Sequence, residues 1–390
     1  MTLAYWLFWI SAGLLLHHHV LFPATLWLIA KLVPSRRPLV LNQDELPAIS
    51  VLVAVHNEEK VLEEKIRSTF DTDYPIDRLE VLVGSDASTD RTNDLLQQMA
   101  IKYPRLRWWH LPQRSGKAAV MNFLASQASG SVLVLTDANV MFTPSTLRCL
   151  VQPLCDESIG LVGGTIVSQA SAGSQIARQE SLYQRYENAL KYYEGKVWGL
   201  MMGAFGGCYA VRRSLFEPVP PAVIIDDFFI TLTVLRKGKK AIAELTAVCY
   251  ETVGHSAAEE FRRKSRIATG NFQIFWRYAY LLMPRYGALA YVFFSHKVLR
   301  WFAPHLMVVL YCSSFVLAAG SLFYQWVTAL VTLAFLTPAI VWLADKAGFS
   351  WEALRYVSHY IMMNAAMLNG FFQYVKGAQH HVWQPTQRTG

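Results

Sequence analysis

The chain has 390 residues, 53% of them hydrophobic, and a net charge of +8. That length holds a full catalytic domain with further elements, and the hydrophobic share is high for a water-soluble protein of this size. The positive charge comes without a basic stripe interleaved with aromatics, which argues against a nucleic-acid partner; a phosphate-bearing small substrate and an anionic membrane face account for it better.

From Met1 to Ala30 there is no Asp, Glu, Lys or Arg, and Lys31, Arg36 and Arg37 follow. This predicts a transmembrane helix over 1–33 with its carboxyl end in the cytoplasm. His17, His18 and His19 interrupt it, but consecutive helical residues point about 100° apart and cannot converge on one ion. Residues 34–47 read as a linker. Ala48–Val55 is a strand run followed by His56-Asn57-Glu58-Glu59 and an amphipathic helix to about Phe70. Leu79–Val83 is a second strand, ending in Gly84-Ser85-Asp86, with Ser88 or Thr89 capping the next helix. Arg105–Leu111 is a third strand, Gly116–Ala128 a helix, and Ser131–Thr136 a fourth strand. The alternation predicts an α/β domain over 48–260 with a Rossmann-like, mostly parallel sheet. The five cysteines form no CxxC pair and read as reduced thiols.

The fourth strand ends in Asp137-Ala138-Asn139. In extended chain, residues two apart share a side, so both polar groups face the sheet's carboxyl edge, where α/β proteins bind ligands. A polar turn closing a core strand fits these residues equally well alone. The polar ends of the other strands, His56-Asn57-Glu58 and Asp86, favour a site. Further on, Gly203–Arg213 is a small, glycine-rich run into a strand. Asp226-Asp227 opens a helix ended by Gly238; the helix dipole explains paired acids there, and adjacent like charges can equally raise one pKa to make a base. A basic, then aromatic segment over 261–300 suits helices in a membrane interface. Residues 301–376 hold room for two spans joined near Gly320–Gln325 and a third at Tyr356–Val375, and 377–390 is a basic tail.

In this order the motifs resemble the membrane-integrated family 2 glycosyltransferases, the clan of cellulose, hyaluronan, chitin and poly-N-acetylglucosamine synthases. The resemblance implies a cytosolic GT-A domain using a UDP-sugar with Mg²⁺ or Mn²⁺. On it, His56, Asn57 and Glu58 correspond to the segment around the uridine, Asp86 to the acid reading the uracil edge, and Lys117 to the lysine on the nucleotide. Asp137 and Asn139 correspond to the DxD metal motif, its second acid replaced by Asn. Asp226 and Asp227 correspond to the catalytic acids, Asp227 being the base, and Gly207 faces substrate. Arg263 and Arg266 fall on the family's Gln-x-x-Arg-Trp, with Ile267 where the acceptor-stacking Trp stands. Trp383 and Arg388 match a segment that closes over the nucleotide.

The implied function is inverting transfer of a sugar from a UDP-sugar to a glycan or lipid-linked acceptor in polysaccharide synthesis. The implied place is a bacterial-type plasma membrane, with lipids as neighbours and the catalytic domain in the cytosol. Single-sugar transfer to a lipid and a non-catalytic sugar-nucleotide-binding scaffold are the alternatives. An outside amino terminus and four spans would leave the tail outside, whereas gating needs it inside; one apolar segment is then re-entrant or interfacial.

Overall fold

The computed structural model describes residues 1–34, 45–170, 175–253, 257–349 and 351–377. Most of the expected linker and tail, with Trp383 and Arg388, lies outside the described residues. The described chain divides into two compact units, residues 26–253 and residues 1–25 with 257–377.

The first helix runs as α1 (Thr2–Leu16), a π-helical stretch over His17–Leu21, and α2 (Phe22–Leu32). Pro23 has no N–H to continue the ladder, and the turn before it widens so that the Phe22 N–H reaches the His17 carbonyl. The three histidines take different partners. His17 bonds the Ser295 hydroxyl at 2.9 Å, His18 the Ser295 carbonyl at 3.0 Å, and His19 the Tyr360 hydroxyl at 2.8 Å.

In residues 26–253 the strands are β1 (Ile49–Val55), β2 (Leu79–Asp86), β3 (Leu106–Leu111), β4 (Val132–Asp137), β5 (Val140–Phe142), β6 (Ile159–Ala170), β7 (Cys208–Arg212) and β8 (Lys240–Val253). They form one sheet in the order β3-β2-β1-β4-β7-β6-β8-β5. The first four strands are parallel, as the strand–helix alternation predicts. Beyond β4 the sheet is mixed: β7 runs antiparallel to both β4 and β6, and β8 runs parallel to β6. The covering helices are α3 (Leu62–Phe70), α4 (Thr92–Lys102), α5 (Lys117–Gln127), α6 (Thr146–Val151), α7 (Gln175–Trp198) and α8 (Asp226–Arg236).

One core face holds Val51, Val53, Val81, Val83 and Val134 of the sheet against Leu62, Ile66, Leu96 and Leu147 of the helices. Full burial of each such side chain stabilises by about 1.5–3 kcal/mol, and it fixes strand register. With Val55 opposite Ser85 and Ala54 opposite Asp137, the ends of β1, β2 and β4 lie along one edge. Because β7 is antiparallel, with Cys208 opposite Thr136, its leading residues Gly206 and Gly207 reach that same edge. Asp90, not Ser88 or Thr89, accepts the Thr92 N–H at 3.0 Å where α4 begins. The Ser88 hydroxyl instead accepts the Asn57 N–H at 3.2 Å, binding two strand-end loops together.

A charge lies inside this core. Lys65 is fully buried; its ammonium donates to the Thr136 hydroxyl at 2.8 Å and to the Val140 carbonyl, and sits 3.7 Å over the Phe142 ring.

The other unit contains α9 (Ala257–Tyr278), α10 (Ala288–Val292), a π-helical Phe293–Val298, α11 (Leu299–Leu317), α12 (Leu322–Lys346) and α13 (Glu352–Val375). Among the described residues, three helices are long and apolar enough to cross a membrane: Thr2–Leu32, Ala288–Gly320 and Leu322–Lys346. The third expected C-terminal segment falls on α13, which is not one of the three. It packs along α9 through polar contacts, Thr269 to the Gly370 carbonyl and Asn369 to Ser265, each at 3.2 Å.

Burial lowers the Lys65 pKa from 10.5 to about 7. Between those values the unfolded chain holds a proton that the folded chain lacks, so this group makes stability rise with pH from about 7 to about 10. Lys65→Met is expected to flatten that rise in unfolding midpoints measured in detergent, and an unchanged slope would remove burial as its cause.

Candidate active site

At the shared strand edge, two residues other than glycine adopt positive φ: Asn57 at 54° and Ala87 at 53°. Such backbone costs energy and persists only where surroundings impose it. Here the Asn57 side-chain carbonyl accepts the Thr89 N–H at 2.8 Å, and the His56 ring bonds the Asp86 carbonyl at 2.7 Å. Glu58 is buried, its N–H donating to Thr92. His56, Asn57, Glu58 and Asp86 therefore form one joined pair of loops at the ends of β1 and β2.

Asp86 is buried, and its carboxylate takes three donors from one loop: Arg114 at 2.8 Å, the Ser115 N–H at 2.7 Å and the Gly116 N–H at 2.9 Å. In the structure it anchors this loop. Gly116 turns the chain with φ 83°, a conformation that favours glycine, and Lys117 follows as the first residue of α5.

The anchored loop carries the Lys117 ammonium to Asp137, 2.7 Å away, and to Asp226, at 3.6 Å. Burial works against its charge, but Asp137, Asp226 and Asp227 outweigh burial and hold the proton on. Asp226 and Asp227 occupy the first turn of α8, where Asp227 accepts the Phe228 N–H at 2.7 Å. The loop before α8 is pinned to α5 by Asn122, which exchanges two 2.8 Å hydrogen bonds with the Val219 backbone. The Asp227 carboxyl is raised from 3.8 to about 6, first by burial and then by the charge of Asp226.

Gly206 and Gly207 complete the floor. A Cβ on Gly206 would stand 3.0 Å from the Asp227 carboxylate and 3.6 Å from the Lys117 ammonium. One on Gly207 would stand 3.4 Å from Asp137 and 2.6 Å from Val140. Gly206 thus passes close against the Asp227 carboxylate, and Gly207 against the apolar Val140 and Ile166 side chains.

The donor set suits a hard divalent cation: Asp137 is the most open member, 38% exposed, in a carboxylate-rich, glycine-floored recess. Among the described residues no three His, Cys, Asp or Glu side chains close on one point. An ion here would draw its further ligands from phosphate and water, as Mg²⁺ commonly does.

The structure thus brings together Lys117, Asp137, Asp226, Asp227 and Gly207 among the expected site residues. Asn139 follows in the turn after β4, its amide donating to Glu251 at 2.9 Å. Arg263 and Arg266 lie on α9 in the other unit, and Arg263 pairs there with Glu260 at 2.9 Å. Arg114, Lys191, Gly206 and Glu251 were not anticipated. Arg114 meets Asp86 across 28 positions, and Lys191 likewise carried no local signal: its ammonium sits 3.3 Å over the Phe205 ring and helps hold the Asp227 carboxyl down.

An α/β unit with this sheet has a GT-A-like fold, with the acidic, glycine-floored recess at its strand edge. Residues 50–219 match the Glycosyl transferase family 2 model. The chain is 26% identical over 237 residues to the probable glycosyltransferase YdaM of Bacillus subtilis (strain 168), covering 59% of this chain and 56% of that one. It is 30% identical over 138 residues to a beta-monoglucosyldiacylglycerol synthase of Synechocystis sp. (strain ATCC 27184 / PCC 6803 / Kazusa), covering 34% and 29%. The chain thus spans about half or less of the length of these curated relatives. The fold is shared with the mannosyltransferase PcManGT from Pyrobaculum calidifontis, solved with GDP-Man and Mn²⁺. The TM-score is 0.70 at 22% identity, over 95% of this chain and 99% of that one.

Removing the cation from the carboxylate cluster should be costly. Lys117→Met is expected to lose about 1–3 kcal/mol at pH 7. The loss should shrink on acidification below about pH 6, where Asp227 takes up a proton and the repulsion falls. Unfolding midpoints across that range check it; a loss that grows on acidification would contradict this assignment.

Proposed function

We propose that this chain is an inverting, metal-dependent glycosyltransferase moving one sugar from a UDP-sugar to a lipid-linked acceptor at a membrane face. The observation that carries the proposal is the cluster itself. A carboxyl tuned to about 6, Asp227, stands beside the ammonium that also holds Asp137 and Asp226. A base with a pKa near the working pH combines a deprotonated population with useful basicity.

The acceptor hydroxyl attacks the anomeric carbon on the face opposite the diphosphate. The new C–O bond forms as the bond to the diphosphate breaks, inverting configuration. Asp227 takes the hydroxyl proton, and Lys117 neutralises charge on the leaving diphosphate. A divalent cation held by Asp137 and the Asn139 carbonyl would supply Lewis-acid stabilisation of that same charge. Asp86 contributes by fixing the loop ahead of Lys117, next to the β1 and β2 loops assigned to the base.

Ile267, where the family's polymerising members place a stacking Trp, supports transfer of one sugar over chain extension. The Synechocystis relative, by its name a glycolipid synthase, supports a lipid acceptor. The three apolar helices support a membrane location. The archaeal structural neighbour holds GDP-Man, so the donor panel includes GDP-sugars beside UDP-sugars.

The deciding experiment incubates the purified chain with that panel, Mn²⁺ or Mg²⁺, and lipid acceptors in vesicles, followed by product mass. A single added sugar supports the reading; a ladder of products would replace it with polysaccharide extension. No release of nucleoside diphosphate would leave a binding scaffold.

Asp227→Asn is expected to lower kcat by roughly 10²–10⁴-fold with donor affinity kept. In the unsubstituted enzyme, log kcat/KM should climb with unit slope up to about pH 6 and then level as Asp227 ionises. An acid limb surviving in the variant would assign the base elsewhere.

A further inference from the structure

The Asp137-Ala138-Asn139 turn carries one carboxylate where two would bind a cation more strongly, and a second carboxylate lies directly behind it. Val140 pairs with Glu251 across β5 and β8, with Met141 opposite Tyr250 and Phe142 opposite Cys249. This register sets the Glu251 side chain against Asn139, whose amide nitrogen donates to Glu251 Oε1 at 2.9 Å. A carboxylate only accepts hydrogen bonds, so the amide must present its nitrogen to Glu251 and turn its carbonyl Oδ1 away.

The turn itself is held at both ends. The buried Lys65 ammonium donates to Thr136, one residue before Asp137, and to the carbonyl of Val140, one residue after Asn139. Asn139 therefore has a clamped backbone and an amide oriented by a charged partner 112 residues on.

We propose that Glu251 is a positioning residue of the metal site: it orients Asn139 so that Oδ1 serves as a cation ligand beside Asp137, and its charge polarises that carbonyl. Groups behind the ligands of metal sites fix ligand orientation and raise basicity in this way, and their loss typically costs 10–100-fold in affinity. The Asn–Glu pair carries the single negative charge that an Asp at position 139 would have carried. An Asp there would face Glu251 as a like charge. The proposal rests on the metal-dependent reading above.

The test titrates Mn²⁺ into the purified full chain in detergent, alone and with UDP or GDP, following loss of the free-ion EPR signal. Glu251→Ala and Asn139→Ala are each expected to raise the Mn²⁺ Kd about tenfold. The double variant should be no worse than either single one, because the two act as one unit. In an Asn139→Asp background, whose carboxylate needs no amide to be oriented, Glu251→Gln is expected to change the Mn²⁺ Kd by less than about threefold. Unfolding midpoints run alongside, and Glu251→Gln serves should the alanine variant not fold. A role confined to packing would move midpoints without this pattern of affinities. Native affinity in Glu251→Ala, additive single effects or a full tenfold loss on Glu251→Gln in the Asn139→Asp background would each overturn the proposal. Should Asp137→Ala also bind Mn²⁺ normally, the metal-dependent reading itself falls; should Asp137→Ala alone lose binding, only the role of Glu251 falls.

Discussion

Three carboxylates share one recess, and a single ammonium makes that possible. Two unit charges 4 Å apart interact by about 4 kcal/mol at an effective dielectric near 20. Asp137, Asp226 and Asp227 could not stay together and ionised without a cation among them. Lys117 is that cation, 2.7 Å from Asp137 and 3.6 Å from Asp226. It neutralises only part of the charge, and the remainder makes the recess attractive to a second cation. Burial beside Asp226 holds the Asp227 carboxyl up, and the Lys117 charge, then the contact with the Phe228 N–H, keep it from rising further.

The position of Lys117 is in turn inherited. Asp86 closes the end of β2 and takes three donors from the Arg114–Gly116 loop, so a carboxylate that never touches Lys117 decides where α5 begins. Asn122 does the corresponding work from the other side, tying the loop ahead of Asp226 and Asp227 to the same helix. Both acids are thus referred to α5, as Lys117 is. Reversal of strand direction at β7 supplies the last wall, since only an antiparallel neighbour of β4 brings a loop leading into its strand to that edge.

Polar groups in the helical unit follow the same economy of partners. The His17 and His18 rings converge on one residue, Ser295, from a π-helical turn, and Ser295 itself lies in a second π-helical stretch. A widened turn leaves backbone groups and side chains at angles that an α-helix does not offer. Along α9 and α13, Thr269 donates to the Gly370 carbonyl and Asn369 donates to the Ser265 hydroxyl across the interface.

What the residues determined by themselves is local. Four strands, three of them ending in polar side chains, the glycine at 116 before a lysine, the acid pair opening α8 and the uncharged first thirty residues were all readable, because each pattern rests on backbone periodicity or on neighbours a few positions apart. The mixed half of the sheet was not: β6 carries two adjacent glycines, β8 mixes charged and small residues, and their partners are chosen by packing. The same holds for Lys65 beneath the Asp137–Asn139 turn, for Arg114 on Asp86 and for Glu251 behind Asn139. Their bonds join residues separated by 28 to 112 positions. Only the folded sheet decided those meetings, since burying the valines of β1, β2 and β4 sets the register and the register sets which distant charges face each other.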